Sequence, residues 1–254
     1  MKNLSLLVLA LMLGFNVFAQ NEKSLTITIS GQAIDFEGQP IDSCLIDLKH
    51  SDFSSAYSTY TDENGYYTLE NVEKGRYVAL FAMRPKEYPR SNAVPEEDMR
   101  LEFWAWNVVA DRDLIINPRY HKLEVYGTNV FQVLGGYPGL FVYFRPMGVT
   151  RYISYQKEDY LDKKRMEEKA VDISVRPEYL DVKIFADNEL LKINSITPVE
   201  EYAETMSITG YIVQVEVPKE KSDKPYIVFR IEAENKEFNE KGEGLYFYEL
   251  KNYK

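Results

Sequence analysis

Disulfide bonding is excluded by count. The chain has one cysteine, Cys44, so no intramolecular bridge can staple it, and its stability has to come from apolar cores of adequate size. Histidine is nearly as scarce: His50 and His121 are the whole supply, which leaves little from which to build a metal site or a general base. Basic charge is short as well, 30 Lys and Arg against 40 Asp and Glu, for a formal charge of −10. A surface of that sign repels phosphate backbones and anionic lipid headgroups, so neither nucleic acid nor an anionic membrane is an expected partner. There is no phosphate loop, no dinucleotide fingerprint and no G-x-S-x-G elbow. Beyond the N-terminus no apolar run is long enough to span a bilayer.

The N-terminal run has a different character. Lys2 precedes an almost unbroken stretch of Leu, Val, Ala and Met, and Val17-Phe18-Ala19 places small residues where a signal peptidase reads. Charged, apolar and small-x-small segments in that order predict a cleavable signal peptide over residues 1–19. The apolar part is shorter than the ~20 residues of a spanning helix, so the chain is not expected to span the membrane once the leader is cut. No cysteine follows the small residues, so no lipid attachment is expected. The compartment implied is past the inner membrane, with the periplasm as default and the cell surface or secretion as alternatives.

What is abundant is aromatic: 20 Tyr and 13 Phe. The dominant period is two. Leu25, Ile27 and Ile29 alternate with Thr26, Thr28 and Ser30; Leu140, Val142 and Phe144 with Phe141, Tyr143 and Arg145; Tyr211, Val213, Val215 and Val217 with Ile212, Gln214 and Glu216; Ile227, Phe229 and Ile231 with Val228, Arg230 and Glu232. Cys44, Ile46 and Leu48 alternate in the same way, which predicts a buried, inert thiol at Cys44. Such runs read as antiparallel strands with one wet face. Turn signals separate them: Asp62-Glu63-Asn64-Gly65, Lys74-Gly75, Gly135-Gly136 and Lys241-Gly242-Glu243-Gly244, the last expected to precede the final strand. Only residues 157–170 look helical. They are heavily charged, and predict a solvated loop or a short surface helix.

Four pieces in order carry a resemblance. Gly31-Gln32-Ala33-Ile34-Asp35 is followed by Gly38-Gln39-Pro40, then by the strand Cys44-Leu45-Ile46-Asp47-Leu48. Thr59-Tyr60-Thr61-Asp62-Glu63-Asn64-Gly65-Tyr66-Tyr67 forms a hairpin signature, and Val72-Glu73-Lys74-Gly75-Arg76-Tyr77 a turn and strand. Residues 29–118 thereby resemble the carboxypeptidase regulatory-like domain. The resemblance implies a transthyretin-like β-sandwich of about seven strands, a binding or structural module with no catalytic residues to carry over, found in exported bacterial proteins. An insertion rich in Pro and acid precedes Phe103-Trp104-Ala105-Trp106, a departure from the family pattern.

The expected architecture is all-β: two antiparallel sandwiches, transthyretin-like over residues 24–118 and immunoglobulin-like over residues 119–254, packed through the aromatic strand at residues 101–108. The second assignment rests on strand pattern and on Pro177, Pro218 and Pro225 at strand edges.

Candidate chemistry is thin. His121-Lys122-Leu123-Glu124 spells H-x-x-E, but on a strand positions i and i+3 face opposite ways, and no convergent third ligand is evident, so neither a catalytic residue nor a metal is assigned. No cofactor is expected. Asp62-Glu63-Asn64-Gly65 lacks the regular further oxygens of a calcium loop and reads as a turn. Trp104 and Trp106 share one face of their strand. They form either an aromatic platform for a sugar or peptide, with Arg100, Asn107 and Arg112 as polar contacts, or one of two buried faces, the other being Phe103 and Ala105. Arg145, in Phe144-Arg145-Pro146-Met147, is a second unusual position, its partner either internal or foreign. The function expected is a non-enzymatic exported binding or scaffold module of the bacterial envelope with a protein partner. A carbohydrate-binding protein is the alternative, and a hydrolase with an unfamiliar site the second.

Overall fold

The computed structural model describes residues 25–89, 93–136, 138–160, 162–203, 206–220 and 222–250. The expected signal peptide at residues 1–19 lies outside them.

The chain is all-β, and its described residues form three sheets. The smallest has the order β4-β1-β7, from β1 (Thr26–Gln32), β4 (Tyr66–Glu73) and β7 (Leu114–Ile115). The largest runs β11-β10-β14-β15-β6-β5-β2-β3. Its members are β2 (Leu45–Lys49), β3 (Ser55–Tyr60), β5 (Gly75–Met83), β6 (Glu102–Ala110), β10 (Leu180–Ala186), β11 (Glu189–Leu190), β14 (Tyr226–Asn235) and β15 (Glu240–Glu249). The third has the order β12-β13-β9-β8, from β8 (Leu123–Phe131), β9 (Gly139–Gly148), β12 (Ile193–Ala203) and β13 (Met206–Glu216).

The eight-stranded sheet is common to both halves of the sequence. The two halves join where β15 pairs in parallel with β6, in the register Gly244↔Trp104, Leu245↔Ala105 and Tyr246↔Trp106. Alternation along β15 then serves two cores, because successive side chains leave opposite faces. Leu245 and Phe247 join Ile29, Ile46, Leu80 and Phe103 under the three-stranded sheet. Tyr246 and Tyr248 pack with Phe144, Tyr211, Val213 and Phe229 under the four-stranded sheet. The smaller sheets thus cover opposite faces of the large one. A ring removed from either core, Phe103 or Phe229, would cost about 3–5 kcal/mol.

Two turn expectations need correction. Lys241-Gly242-Glu243-Gly244 is not a turn before the last strand but part of it, within β15. The reason is steric: a Cβ on Gly242 would lie 2.1 Å from the Leu123 carbonyl oxygen, and one on Gly244 would lie 3.0 Å from Val125. Glycine lets β15 pass close beneath β8. The reversal comes earlier, at Asn239, which has φ 54°. Gly75 also has ordinary backbone and open space around it, so the reversal before Tyr77 does not draw on its conformational freedom. The Asn64-Gly65 hairpin has the geometry expected of a turn: Gly65 has φ 76°, and Asp62 Oδ1 accepts from the Asn64 and Tyr66 amides at 2.9 and 2.8 Å.

Among the described residues helix is confined to short pieces: α1 (Val149–Ile153), α2 (Lys163–Lys169) and single 3-10 turns. Helix α2 lies within the charged stretch expected to be loop or surface helix. Asp162 caps it by accepting from the Arg165 amide at 3.0 Å.

A charge cluster forms within the second half, beside β15. Glu232 on β14 stands directly opposite Glu243 on β15, an arrangement that repels by itself. Arg119, from the segment between β7 and β8, donates to Glu232 at 2.5 Å and to Glu243 at 2.6 and 3.1 Å. Arg230 pairs with Glu232 and lies 3.6 Å from Glu243. Arg119 also lies over the Phe36 ring, 4.8 Å from its centroid.

Candidate functional site

Strand β6 puts Glu102, Trp104 and Trp106 on the face turned away from the first core. Trp104 and Trp106 stack with centroids 4.9 Å apart at 15°. Tyr126 of β8 stands edge-on to both, at 5.3 and 5.2 Å. Phe81 tilts against Trp104 at 4.8 Å, and Phe53 meets the edge of Trp106 at 6.2 Å. Trp104 keeps only 7% of its surface exposed, and Trp106 is half-buried. Phe103 and Ala105 are buried in the first core. Both faces of β6 are therefore covered here, and the indoles form the wall of a cluster closed by Tyr126.

The other residues expected beside the indoles lie elsewhere. Arg100 is 3.3 Å from Glu87 and 5.9 Å from the Tyr120 ring. Arg112 pairs with its neighbour Asp111 at 3.1 Å. Neither lines the two concavities described below. Asn107 has φ 53° and donates to the Phe247 carbonyl at 2.7 Å, continuing the β6–β15 contact by side chain where the ladder ends.

The first concavity is a groove of about 790 Å³ where the four-stranded and eight-stranded sheets part. Asn107, Asn129, Phe131, Tyr246, Tyr248 and Glu249 line it. The exposed side chains of Leu134, Val217 and Leu250 also border it. Glu249 is held by Arg76, whose Nε donates at 2.8 Å. That pairing holds its carboxyl below the usual glutamate range.

The second is a cleft of about 260 Å³ between β6, β8 and β9, lined by Tyr88, Glu102, Glu124, Tyr126, Arg145 and Tyr152 among others. Glu124 is almost fully buried, and Trp104 Nε1 donates to its Oε1 at 3.0 Å. Burial pushes the Glu124 acid well above its ordinary value and the nearby Glu102 charge pushes the same way, while the Trp104 hydrogen bond and Arg145 pull it back. Arg145 has an internal partner: its guanidinium lies 4.8 Å from the Tyr126 ring centroid and 3.3 Å from Glu201. Gly127, at φ 64°, leaves room for it, since a Cβ there would lie 3.2 Å from the guanidinium.

Two positions singled out in the sequence for other reasons, Glu124 of the H-x-x-E run and Arg145, thus meet in one cleft. His121 does not join them there; it lies ahead of β8, and its carbonyl accepts from the Leu101 amide at 2.9 Å. Glu102 and Tyr126 were not singled out. Alternation puts Glu102 on the face of Trp104 and Tyr126 on the face of Glu124, but nothing in the sequence says that β8 lies over β6. Among the described residues no group of three or more His, Cys, Asp or Glu is placed to hold a metal ion. Among them, too, no helix is long and apolar enough to cross a membrane. Cys44 is buried, its Sγ 3.2 Å from the Tyr120 hydroxyl.

No protein-family model matches the chain, and no curated protein matches it. Solved structures that align with the chain include the major pilin subunit BcpA of Bacillus cereus, at 10% identity over 87% of this chain and 69% of the pilin, with a TM-score of 0.26. A variant form of that subunit gives 10% identity over 87% and 67%, with a TM-score of 0.27. The full-length major pilin SpaD from Corynebacterium diphtheriae gives 9% identity over 87% and 64%, with a TM-score of 0.23.

Proposed function

We propose that the protein is an exported, non-enzymatic binding module of the bacterial envelope, in which both halves of the chain act as one rigid body and the groove between the sheets receives a protein partner. The observation that carries this reading is the shared eight-stranded sheet: β15 contributes to both cores, and the groove opens along that same strand. A concave surface built on paired strands is held in shape before a ligand arrives, which lowers the ordering cost of binding. The exposed apolar side chains of Leu134, Val217 and Leu250 beside amides and tyrosines suit a protein partner. The leader-like N-terminus supports export, and the resemblance of residues 29–118 to the carboxypeptidase regulatory-like domain supports a module without catalysis. On this reading the mature chain works in the periplasm, or at the cell surface.

The test is capture from envelope extract of the source cell by the mature protein, compared with a Leu134→Asp, Val217→Asp variant. A defined partner retained by the first and lost by the second is the expected result. Capture that ignores the variant removes the groove from the reading, and reproducible hydrolysis of peptide, ester or glycoside substrates by the purified protein overturns it. Carbohydrate is the second reading, favoured by the Asn107, Asn129, Tyr246 and Tyr248 side chains in the groove. It is decided by glycan binding lost on Tyr248→Ala.

A further inference from the structure

Each sheet has two outer strands among the described residues, and all but one of these edges are guarded. β7 and β11 are short, Leu114–Ile115 and Glu189–Leu190. β12 carries Pro198, Glu200 and Glu201. β4 carries Glu70 and Glu73, with Asn71 at φ 56° between them. β8 lies against β15, so close that a Cβ on Gly242 would meet the Leu123 carbonyl oxygen at 2.1 Å. Short length, proline, charge, kinked backbone and cover are devices by which sheets avoid pairing edge to edge. β3, an outer strand of the eight-stranded sheet, lacks them over most of its length. From Phe53 to Thr61 there is no charged residue, no proline and no glycine. The irregularity in its pairing with β2 lies at the Ser55 end, which leaves Tyr57 to Tyr60 in regular register.

Alternation places the free side of β3. The Thr61 amide donates to the Cys44 carbonyl at 3.0 Å, and the Thr61 carbonyl accepts from the Ser43 amide at 3.1 Å, so its backbone groups face β2. Every second residue of a strand faces the same neighbour. Thr59 and Tyr57 therefore face β2 as well, and the amides and carbonyls of Ser58 and Tyr60 face away from it. Ser58 is exposed, and Tyr60 keeps 60% of its surface exposed.

Those groups suit a second copy of the same strand. With Ser58 opposite Tyr60 of the copy in an antiparallel pair, every outward amide and carbonyl of the two residues finds a partner. Thr59 then faces Thr59 of the copy and Tyr57 faces Thr61, pairings that stabilise a sheet, and no charge stands opposite a like charge. Lys49, which also holds Asp47 at 2.7 Å, lies with His50 at one end of the edge, and Asp62 and Glu63 follow its other end. Antiparallel pairing thus sets unlike ends side by side. A contact of this two-fold kind closes on itself and stops at two chains. One paired edge is smaller than the interface of about 1,200–2,000 Å² that holds a stable complex, and both copies are acidic, so the association is weak and strengthens as salt screens the repulsion.

We propose that β3 is a self-association edge, through which two copies pair antiparallel at Ser58 and Tyr60 and join their eight-stranded sheets into one.

The experiment is sedimentation velocity on the mature protein over a wide range of concentration, at low and high salt, with amide hydrogen exchange read in parallel. A monomer–dimer equilibrium that shifts towards dimer with protein and salt is expected, with slower exchange at the Ser58 and Tyr60 amides in the dimer. Ser58→Pro removes an outward donor from each copy, at an edge position where the fold itself does not use that N–H; it should weaken dimerisation about tenfold or more. Tyr60→Lys puts a charge on the edge and carries the same test should the proline variant fold poorly. A monomer at every concentration, or a dimer that both variants leave unchanged, overturns the proposal. A synthetic peptide of residues 54–62 is the second probe. If it slows exchange at Ser58 and Tyr60 while the protein alone stays monomeric, the edge takes an extended strand from another protein and the second copy is ruled out. None of these outcomes bears on the partner capture that tests the groove.

Discussion

Removing the Arg119 guanidinium should expose how much of the stability depends on the charge cluster it forms with Glu232, Glu243 and Arg230. Glu243 keeps 5% of its side-chain exposure and faces Glu232 across the β14–β15 ladder. In Arg119→Met both carboxylates lose their shared partner at 2.5–3.1 Å. Leaving a buried charge without its partner costs about 3–5 kcal/mol. Arg230 remains 3.6 Å from Glu243 and offsets part of the loss, so about 2–3 kcal/mol is expected at pH 7.5. For a chain of this size that corresponds to a melting temperature lower by about 5–10 °C.

The pH dependence has a definite sign. Burial raises the Glu243 acid above its ordinary value, and Arg119 and Arg230 pull it back. An acid raised on folding destabilises the native state as pH rises through its folded pKa, and this penalty is absent below the unfolded value. Without Arg119 the folded pKa rises further. The deficit of the variant should therefore be complete at pH 7.5 and shrink on going towards pH 5, leaving a pH-independent remainder from the lost contact with Phe36, about 0.5–1 kcal/mol. Urea melts are the assay, because guanidinium salt would screen the cluster. The double variant Arg119→Met, Glu243→Leu should return to within about 1 kcal/mol of the wild type. A single variant that melts with the wild type, or whose deficit is the same at pH 5 and pH 7.5, refutes the reasoning.

Other expectations follow from single residues. Burial pushes the Cys44 thiol up to about 11, against a hydrogen bond to Tyr120 that lowers it. An aromatic disulfide reagent at pH 8 should leave Cys44 untouched in native protein and react with one thiol per chain in urea; fast native labelling would contradict the burial. Asn107→Gly keeps access to φ 53° and loses the bond to Phe247 and the side-chain contact with Glu249, for about 1–2 kcal/mol. Asn107→Val also strains the backbone and should lose about 1–3 kcal/mol more, so equal melts for the two would argue against a left-handed residue there. Gly242→Ala should lose at least about 1–3 kcal/mol through overpacking against Leu123, in contrast to a neutral Gly75→Ala. Acrylamide should quench Trp104 weakly in a Trp106→Phe background, and quenching near that of free tryptophan would mean that Tyr126 does not cover the pair.

The strands were legible because their signal is local. Alternation at Thr26–Gln32, Tyr226–Asn235 and Gly139–Gly148 follows from a pleat with one buried face, and any window of six residues contains it. The Asp62–Gly65 turn was legible for the same reason, since its hydrogen bonds close within four residues. β10 and β12 were not singled out: β12 is largely exposed and carries Pro198, so burial imposes little pattern on an edge strand of this kind.

The last glycines show where local reading stops. Gly242 and Gly244 have the chemistry of a turn, but they lie in β15 because β8 passes within contact of that strand, a constraint set by residues more than a hundred positions away. The same holds for the cleft. Alternation alone put Trp104 and Trp106 on one face, and composition alone excluded disulfides and made the surface acidic. Whether the indole face is covered depends on Tyr126, and whether Glu124 meets Trp104 depends on the placement of β8 over β6. Side-chain period is a property of the backbone and is written in the sequence. The pairing of distant strands is decided by which combination of faces buries the most apolar surface while satisfying Glu243 and Glu124, and that emerges only in the assembled structure.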